Sequence, residues 1–326
     1  MKAIVLEGTG GPETLVLREI PDPTPGPEDL LVAVKATALN RGDILQRLGA
    51  YPQPGPKPQF EVPGIEFAGE VLETGDRVEG WKAGDRVMGI LAGGGYAERC
   101  VVHQRMAVRV PDRLGWQEAG GTPEVFITAH DALRQCSLVA GESVLIHAAG
   151  SGVGTAAIQI AKAMGATPII GTARTKSKLD EATKLGMDAG VLVEQVSFAE
   201  TVREVTGGGV DVVLDVVGGP YWEQNIASLA IGGRMVVVGT MGGSKPQVEL
   251  GQLMRKRLQV RGTVLRSRPL EEKATATQAF AKSVVPHLAS GAIKVIVDRV
   301  FPLAEAGEAQ SYMERNENFG KVVLAP

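Results

Sequence analysis

Along residues 1–120 short apolar runs alternate with turn signals. Val16-Leu17-Arg18-Glu19-Ile20 leads into the proline-rich Pro21-Asp22-Pro23-Thr24-Pro25-Gly26-Pro27, and the β-prone Leu30-Leu31-Val32-Ala33-Val34-Lys35-Ala36 follows. Gly84-Asp85-Arg86-Val87-Met88 and Tyr96-Ala97-Glu98-Arg99-Cys100-Val101-Val102 continue the series. Strands spaced this closely predict a small β-barrel or sandwich.

The period changes after residue 123. Val144-Leu145-Ile146-His147 reads as a strand, and Thr155 to Met164 as a helix burying Ala157, Ile160, Ala161 and Met164 at i, i+3, i+4 and i+7. Pro168-Ile169-Ile170-Gly171 is the next strand. Ser177 is then expected to cap a helix, with Asp180 three residues on and Gly186 ending it. Val210–Asp215, Arg234–Gly239 and Leu258–Gly262 supply further strands. This alternation predicts a doubly wound parallel sheet, and hence an α/β fold. A helix around Ala274–Leu288 and strands near Asp298–Phe301 and Lys321–Leu324 most simply return to the first domain. The expected boundaries are 1–122, completed by 266–326, and 123–265.

A length of 326 residues agrees with about two domains. A net charge of −3 gives no global field to recruit nucleic acid or an anionic membrane. No apolar run reaches the roughly 18–20 residues of a membrane span. Met1-Lys2-Ala3-Ile4-Val5 reads as a first strand rather than a signal peptide. Cys100 and Cys136 alone make neither a disulfide framework nor a structural zinc site. A cytoplasmic globular protein is expected. Glycine stands out at 42 residues, about twice the usual share, which points to tight strand-to-helix turns against a ligand.

One such turn carries chemistry. Ala148-Ala149-Gly150-Ser151-Gly152-Val153-Gly154 follows a strand and opens a helix, where backbone N–H groups and the helix dipole can hold a pyrophosphate. Aligned on Gly154, a G-x-G-x-x-G pattern has Ala149 and Ser151 in place of glycines. An ordinary tight turn is the alternative. At the end of the second strand, where NAD-binding units place an acid, Gly171-Thr172-Ala173-Arg174-Thr175-Lys176-Ser177-Lys178 has none. Arg174 and Lys178 suit a 2′-phosphate, so NADPH is the expected coenzyme. A solvated charge cluster is the plainer reading of the same residues.

Gly10-Gly11-Pro12-Glu13, Ala38-Leu39-Asn40-Arg41-Gly42-Asp43, Val62-Pro63-Gly64-Ile65-Glu66, Gly84-Asp85-Arg86-Val87 and Asn318-Phe319-Gly320-Lys321-Val322-Val323-Leu324 extend the pattern over the whole chain. With these motifs the chain resembles the medium-chain dehydrogenase/reductase superfamily, in which a GroES-like catalytic domain accompanies a Rossmann coenzyme domain. Within it the chain resembles the zinc-free quinone oxidoreductases related to zeta-crystallin. Their tumour-suppressor-inducible branch shares Gln46-Arg47 with Tyr51, His147-Ala148, Ser151 to Gln159, and Leu265-Arg266-Ser267-Arg268.

Zinc-dependent relatives hold the metal with an early Cys, a Gly-His-Glu and a later Cys. Here Ile65 replaces a ligand in Gly64-Ile65-Glu66, and Asn40 and Asp43 lie in the loop of the first Cys. Three ligands cannot be assembled, so no metal is expected. His103, His130 and His287 lack partners at ligand spacing and read as structural or surface residues.

Without a Lewis acid, developing oxyanion charge must be met by hydrogen bonds. Asn40 can donate from its amide, Asp43 can orient a loop or a water, and Tyr51 can donate from its phenol or merely pack on prolines. Thr128, read as starting a linker helix, and Ser151 either touch the reacting end or only cap and turn the backbone. The resemblance implies further coenzyme contacts at Gly239 to Gly243, Gly242 included, at Leu265 beside Arg266, and at Asn318 and Lys321 of the tail. Relatives carry a Tyr beside the adenosine phosphate where this chain has Val193, which leaves the phosphate to Arg174 and Lys178. A homodimer joined along the coenzyme sheet, near Arg255–Arg268, is also implied. The expected activity is NADPH-dependent, metal-free reduction of a quinone. An ene-reductase acting on α,β-unsaturated carbonyls and an NADPH-binding protein with little turnover are the alternatives.

Overall fold

The strand Asp29–Ala38 organises the N-terminal half of the chain. It pairs antiparallel with Glu66–Thr74, with Arg99–His103, and at its far end with Lys321–Ala325. Alternate residues Leu30, Val32, Val34 and Ala36 are buried, the period of two expected of a sheet with one face on a core. The C-terminal strand Lys321–Ala325 thus joins this sheet. The computed structural model describes residues 1–56 and 58–326. They form two units, Met1–Ile127 with Leu265–Pro326, and Thr128–Val264.

In the first unit the sheet runs in the order Val297–Pro302, Lys321–Ala325, Asp29–Ala38, Glu66–Thr74, Arg86–Ile90 and Ala107–Arg109. Lys2–Leu6 and Leu15–Glu19 pair as a separate two-stranded sheet that shares a core with Val322 and Leu324 of the larger one. Arg47, almost wholly buried, ties the helix Arg41–Arg47 to the helix Ala306–Glu314 through Gln310 Oε1 at 2.8 Å and Glu314 Oε1 at 2.6 Å. The expected single helix at Ala274–Leu288 is two, Leu270–Ser283 and Val285–Ser290. Pro286 has no N–H and disfavours helix in the residue before it, so the chain breaks there and restarts.

The second unit is a six-stranded, all-parallel sheet in the order Ala189–Leu192, Ile169–Ala173, Val144–Ile146, Val210–Asp215, Leu229–Val237, Gln259–Gly262. Numbered along the chain this is 3-2-1-4-5-6, the doubly wound order that leaves a ligand crevice at the carboxyl ends of the central strands. The helix Gly152–Ala163 is buried continuously from Gly154 to Ala161, more completely than a one-sided stripe requires. The next helix, Lys176–Lys184, begins before the expected cap. Ser177 lies inside it, Thr175 is the N-cap without a side-chain bond, and Asp180 pairs with Lys176 at 2.8 Å. Among the described residues no helix is long and apolar enough to cross a membrane.

Candidate active site

In the first unit the sequence Asn40-Arg41-Gly42-Asp43 leaves the central strand and enters a helix, and Asn40 and Asp43 are buried there. Asn40 N donates to Asp43 Oδ2 at 2.8 Å, the reciprocal arm of a capping box. The Tyr96 hydroxyl donates to the same oxygen at 2.9 Å, and Gly64 N reaches Oδ1 at 3.3 Å. Gly64 has φ +96°, and a Cβ there would meet Tyr96 backbone N at 2.6 Å, so this loop accepts only glycine. Burial raises the Asp43 carboxyl to about 6; the bonds from Asn40 and Tyr96 and the charges of Lys321 and Arg266 hold it down.

Glu66 is equally enclosed. Its Oε1 accepts from Asn40 Nδ2 and from Lys321 Nζ, both at 2.8 Å, and its Oε2 accepts from Glu124 N at 2.9 Å. Lys321 Nζ also donates to Leu39 O and Asn40 Oδ1, each at 2.8 Å. The structure gives these expected site residues partners within the first unit. Asn40 sends its amide hydrogens to Glu66 and to Ala38 O at 3.2 Å, so it braces the cluster and has no donor left for a substrate oxygen. Lys321 directs its three donors to partners inside the first unit. Asn318 likewise turns its amide to Gly320 O at 2.8 Å. Among the described residues no three His, Cys, Asp or Glu side chains come together in a group that could hold a metal ion.

Tyr51 sits beside this cluster. Its ring lies 5.1 Å below the Arg266 guanidinium, an attractive cation–π contact, and its carbonyl accepts from Arg266 Nη1 at 3.1 Å. Arg266 is 5% exposed and also grips Ala92 O at 2.7 Å and Gln46 Oε1 at 2.7 Å. A phenol is protonated at neutral pH and can donate, and burial raises the Tyr51 value further. Leu265, next to Arg266, lines a cavity of about 150 Å³ with Ile90, Leu91, Ala92, Leu270 and Lys273. Reading the sequence missed Tyr96 and Glu66 as members of this cluster, together with the anchoring role of Arg266.

In the second unit the glycine-rich turn is tightly built. Ala148 adopts φ +52°, reversing the chain after the first strand, and Ala149 N donates to Thr172 O at 2.8 Å. Ser151 is the helix N-cap, its Oγ accepting from Gly154 N at 3.0 Å. This explains its departure from the glycine pattern: a cap is wanted there. Gly154 admits no Cβ, which would fall 2.3 Å from Ala148 O. Gly152 and Val153, both half-buried, begin the helix, where the leading N–H groups lack intrahelical partners.

Arg174 projects into solvent at the end of the second strand. The Lys178 stem folds over the turn, with its Cδ 2.9 Å from where a Gly150 Cβ would lie. Gly239, Thr240 and Gly242 pass beside Val216 and Val217, whose carbonyls accept from Met241 N and Gly242 N. Thr128 lies in the middle of the helix Pro123–Gln135 rather than at its start. Pro123 takes the first position, where its missing N–H costs nothing.

Sequence profiles match two stretches of the chain. That of the alcohol dehydrogenase GroES-like domain covers residues 26–112, and that of the zinc-binding dehydrogenase family covers 152–282. A quinone oxidoreductase of Pseudomonas aeruginosa is 34% identical over 100% of this chain and 99% of its own length. The structure of Escherichia coli quinone oxidoreductase complexed with NADPH superposes with a TM-score of 0.91 at 31% identity, covering 100% of both chains. An NAD-dependent alcohol dehydrogenase matches with a TM-score of 0.90 at 32% identity, again over 100% of both chains. The same backbone thus serves different coenzymes and acceptors, and the side chains must discriminate.

Proposed function

Because the chain belongs to the quinone oxidoreductase family of the medium-chain dehydrogenase/reductases, we propose that it is an NADPH-dependent quinone reductase that works without zinc. The carrying observation is the chemistry at the end of the second parallel strand. From Gly171 to Lys178 there is no carboxylate to bond a ribose 2′-hydroxyl or repel a 2′-phosphate. Arg174 stands at that end, and Lys178 is folded onto the phosphate turn. A guanidinium and an ammonium so placed favour the phosphorylated ribose.

Zinc does not fit the first unit. The Glu66 carboxylate is occupied on both oxygens, Ile65 is a buried hydrocarbon, and the neighbouring cation is the Lys321 ammonium. Bound NADPH would supply the hydride; the chain's part is to hold the acceptor and meet the charge that develops on its oxygen. Tyr51 is the donor we assign to that oxygen, its ring fixed by Arg266. Asn40, Asp43 and Tyr96 keep the adjoining loop in register. The substrate is a small electron-poor carbonyl compound.

We also infer a homodimer. The edge strand Gln259–Gly262 is exposed at every residue, and Leu250, Met254 and Ile231 expose large apolar side chains in the same unit. An unpaired edge of this kind is a template for a second copy.

The test is turnover with NADPH against quinones and against α,β-unsaturated ketones, with and without a chelator. Quinone reduction that survives chelation supports the reading. Preference for enones would make the enzyme an ene-reductase. Coenzyme binding without turnover on either class would leave an NADPH-binding protein. Activity lost on chelation and restored by zinc overturns the metal-free assignment.

A further inference from the structure

His147 directly follows the first parallel strand of the second unit, and none of its surface is exposed. Its ring is held edge-on by Phe198 and Tyr221, with centroids 4.9 Å away in both cases. Each ring nitrogen has a partner: Nδ1 lies 2.9 Å from Thr172 Oγ1, and Nε2 lies 2.6 Å from Asn225 Oδ1. Asn225 Nδ2 donates to Asp215 Oδ2 at 3.1 Å, which orients the amide and thereby fixes the tautomer. Nε2 carries the proton, and Nδ1 accepts from the Thr172 hydroxyl. Burial holds the ring neutral by lowering its pKa, against the opposing pull of Asp215 and Asn225.

The chain of side chains has backbone at both ends. At one end His147 adjoins the reversal at Ala148, and Thr172 O holds Ala149 N at 2.8 Å, so the phosphate turn is fixed there. At the other, Asp215 Oδ1 accepts from Val217 N at 2.7 Å and Gly218 N at 3.1 Å. That loop grips the segment after the fifth strand through Gly242 N to Val217 O and Gly219 N to Gly243 O, both at 2.8 Å. Four consecutive buried polar groups cost desolvation that an apolar core would avoid. What they provide is a fixed distance between two ligand-facing segments.

We propose that Thr172, His147, Asn225 and Asp215 form a positioning chain. It sets the spacing between the phosphate turn and the Gly239–Gly243 segment, so that one coenzyme meets both at once. The proposal rests on the NADPH reading above. A ligand that spans two subsites owes its affinity to the second contact being intramolecular, and this gain is lost when the subsites shift.

The experiment compares dissociation constants for NADPH and for 2′,5′-ADP, which occupies the phosphate end alone, in wild type and Asn225→Leu. We expect NADPH to weaken at least tenfold while 2′,5′-ADP changes by less than about threefold. His147→Gln, which keeps a donor toward Asn225, should recover most of the NADPH affinity relative to His147→Leu. Unchanged NADPH affinity with only a lower melting temperature would make the network core packing and overturn the proposal. Equal losses for both ligands would overturn it too, by placing the whole effect at the turn. Should Asn225→Leu fail to fold, Thr172→Val removes a single hydroxyl and supports the same comparison. If wild type binds 2′,5′-ADP and NADPH no better than NADH, it is the coenzyme reading that fails.

Discussion

Lys321 Nζ lies 2.8 Å from Glu66 Oε1, with the two side chains 4% and 0% exposed. The last strand of the chain thus delivers a counter-charge to a carboxylate more than 250 residues away. A buried carboxylate stripped of its partner is costly. Lys321→Met should therefore destabilise the protein by about 3–5 kcal/mol in denaturant unfolding. Adding Glu66→Gln should restore part of that loss, since the orphaned charge is gone. A loss below about 1 kcal/mol in the single variant would mean that Glu66 does not depend on this ammonium.

Asp43 gives a pH signature. An ordinary carboxyl titrates at 3.8, whereas in the folded protein Asp43 titrates at about 6. Between these values the native state keeps a proton that the unfolded chain has released. The Asp43 contribution to unfolding free energy therefore falls as pH rises through this window, and is level above and below it. Asp43→Asn removes this dependence. The stability of wild type relative to the variant should drop from pH 4 to pH 6, as read from unfolding midpoints at several pH values. A difference constant with pH would show that Asp43 is not protonated in the native state.

The strand Val210–Asp215 and the turn before Gly152 were legible because their signals are local. An apolar run, a small-residue turn and a helix follow within a few positions. Lys321–Leu324 was legible as a strand for a similar reason, being a short, mostly apolar run with no helical period. Tyr96 was hidden inside a run that reads as strand, and its hydroxyl meets Asp43 across 53 positions of sequence. Asn40 presents the right chemistry for a substrate donor. Only the fold reveals that Glu66 and Ala38 take its hydrogens. Side-chain satisfaction is a tertiary property, and spacing along the chain does not encode it.

Coenzyme choice should follow charge at the second strand's end. NADPH should bind at least tenfold more tightly than NADH, about 1.4 kcal/mol. Arg174→Ala should erase most of that margin by weakening NADPH while leaving NADH nearly unchanged. Titration of both coenzymes decides the matter: equal dissociation constants in wild type would remove the basis for an NADP preference.

The exposed edge strand predicts a dimer that a single charge can disrupt. Val260 is 39% exposed at the centre of Gln259–Gly262. A lysine there is the natural device for blocking strand-to-strand addition. Light scattering should give twice the chain mass for wild type and a shift toward the single-chain mass for Val260→Lys. A wild-type mass of one chain, independent of concentration, would exclude the edge as an interface.

Tyr51→Phe tests the donor itself. The substitution keeps the ring and hence its stacking with Arg266 at 5.1 Å, and the Tyr51 carbonyl still accepts from Arg266 Nη1. What disappears is one hydroxyl, which is protonated at neutral pH and whose pKa burial raises further. If that hydroxyl hydrogen-bonds more strongly as charge develops on the acceptor oxygen, kcat should fall by about 10–100-fold, or roughly 1.4–2.7 kcal/mol. NADPH affinity should hold, because Tyr51 belongs to the first unit and the phosphate turn to the second. A quinone is already an eager hydride acceptor, so the loss should be smaller for reactive quinones than for enones. The measurement is kcat on both substrate classes, with NADPH binding as the control. Unchanged rates on both would leave Tyr51 as a packing residue beneath Arg266, and the oxygen's donor would have to be sought elsewhere.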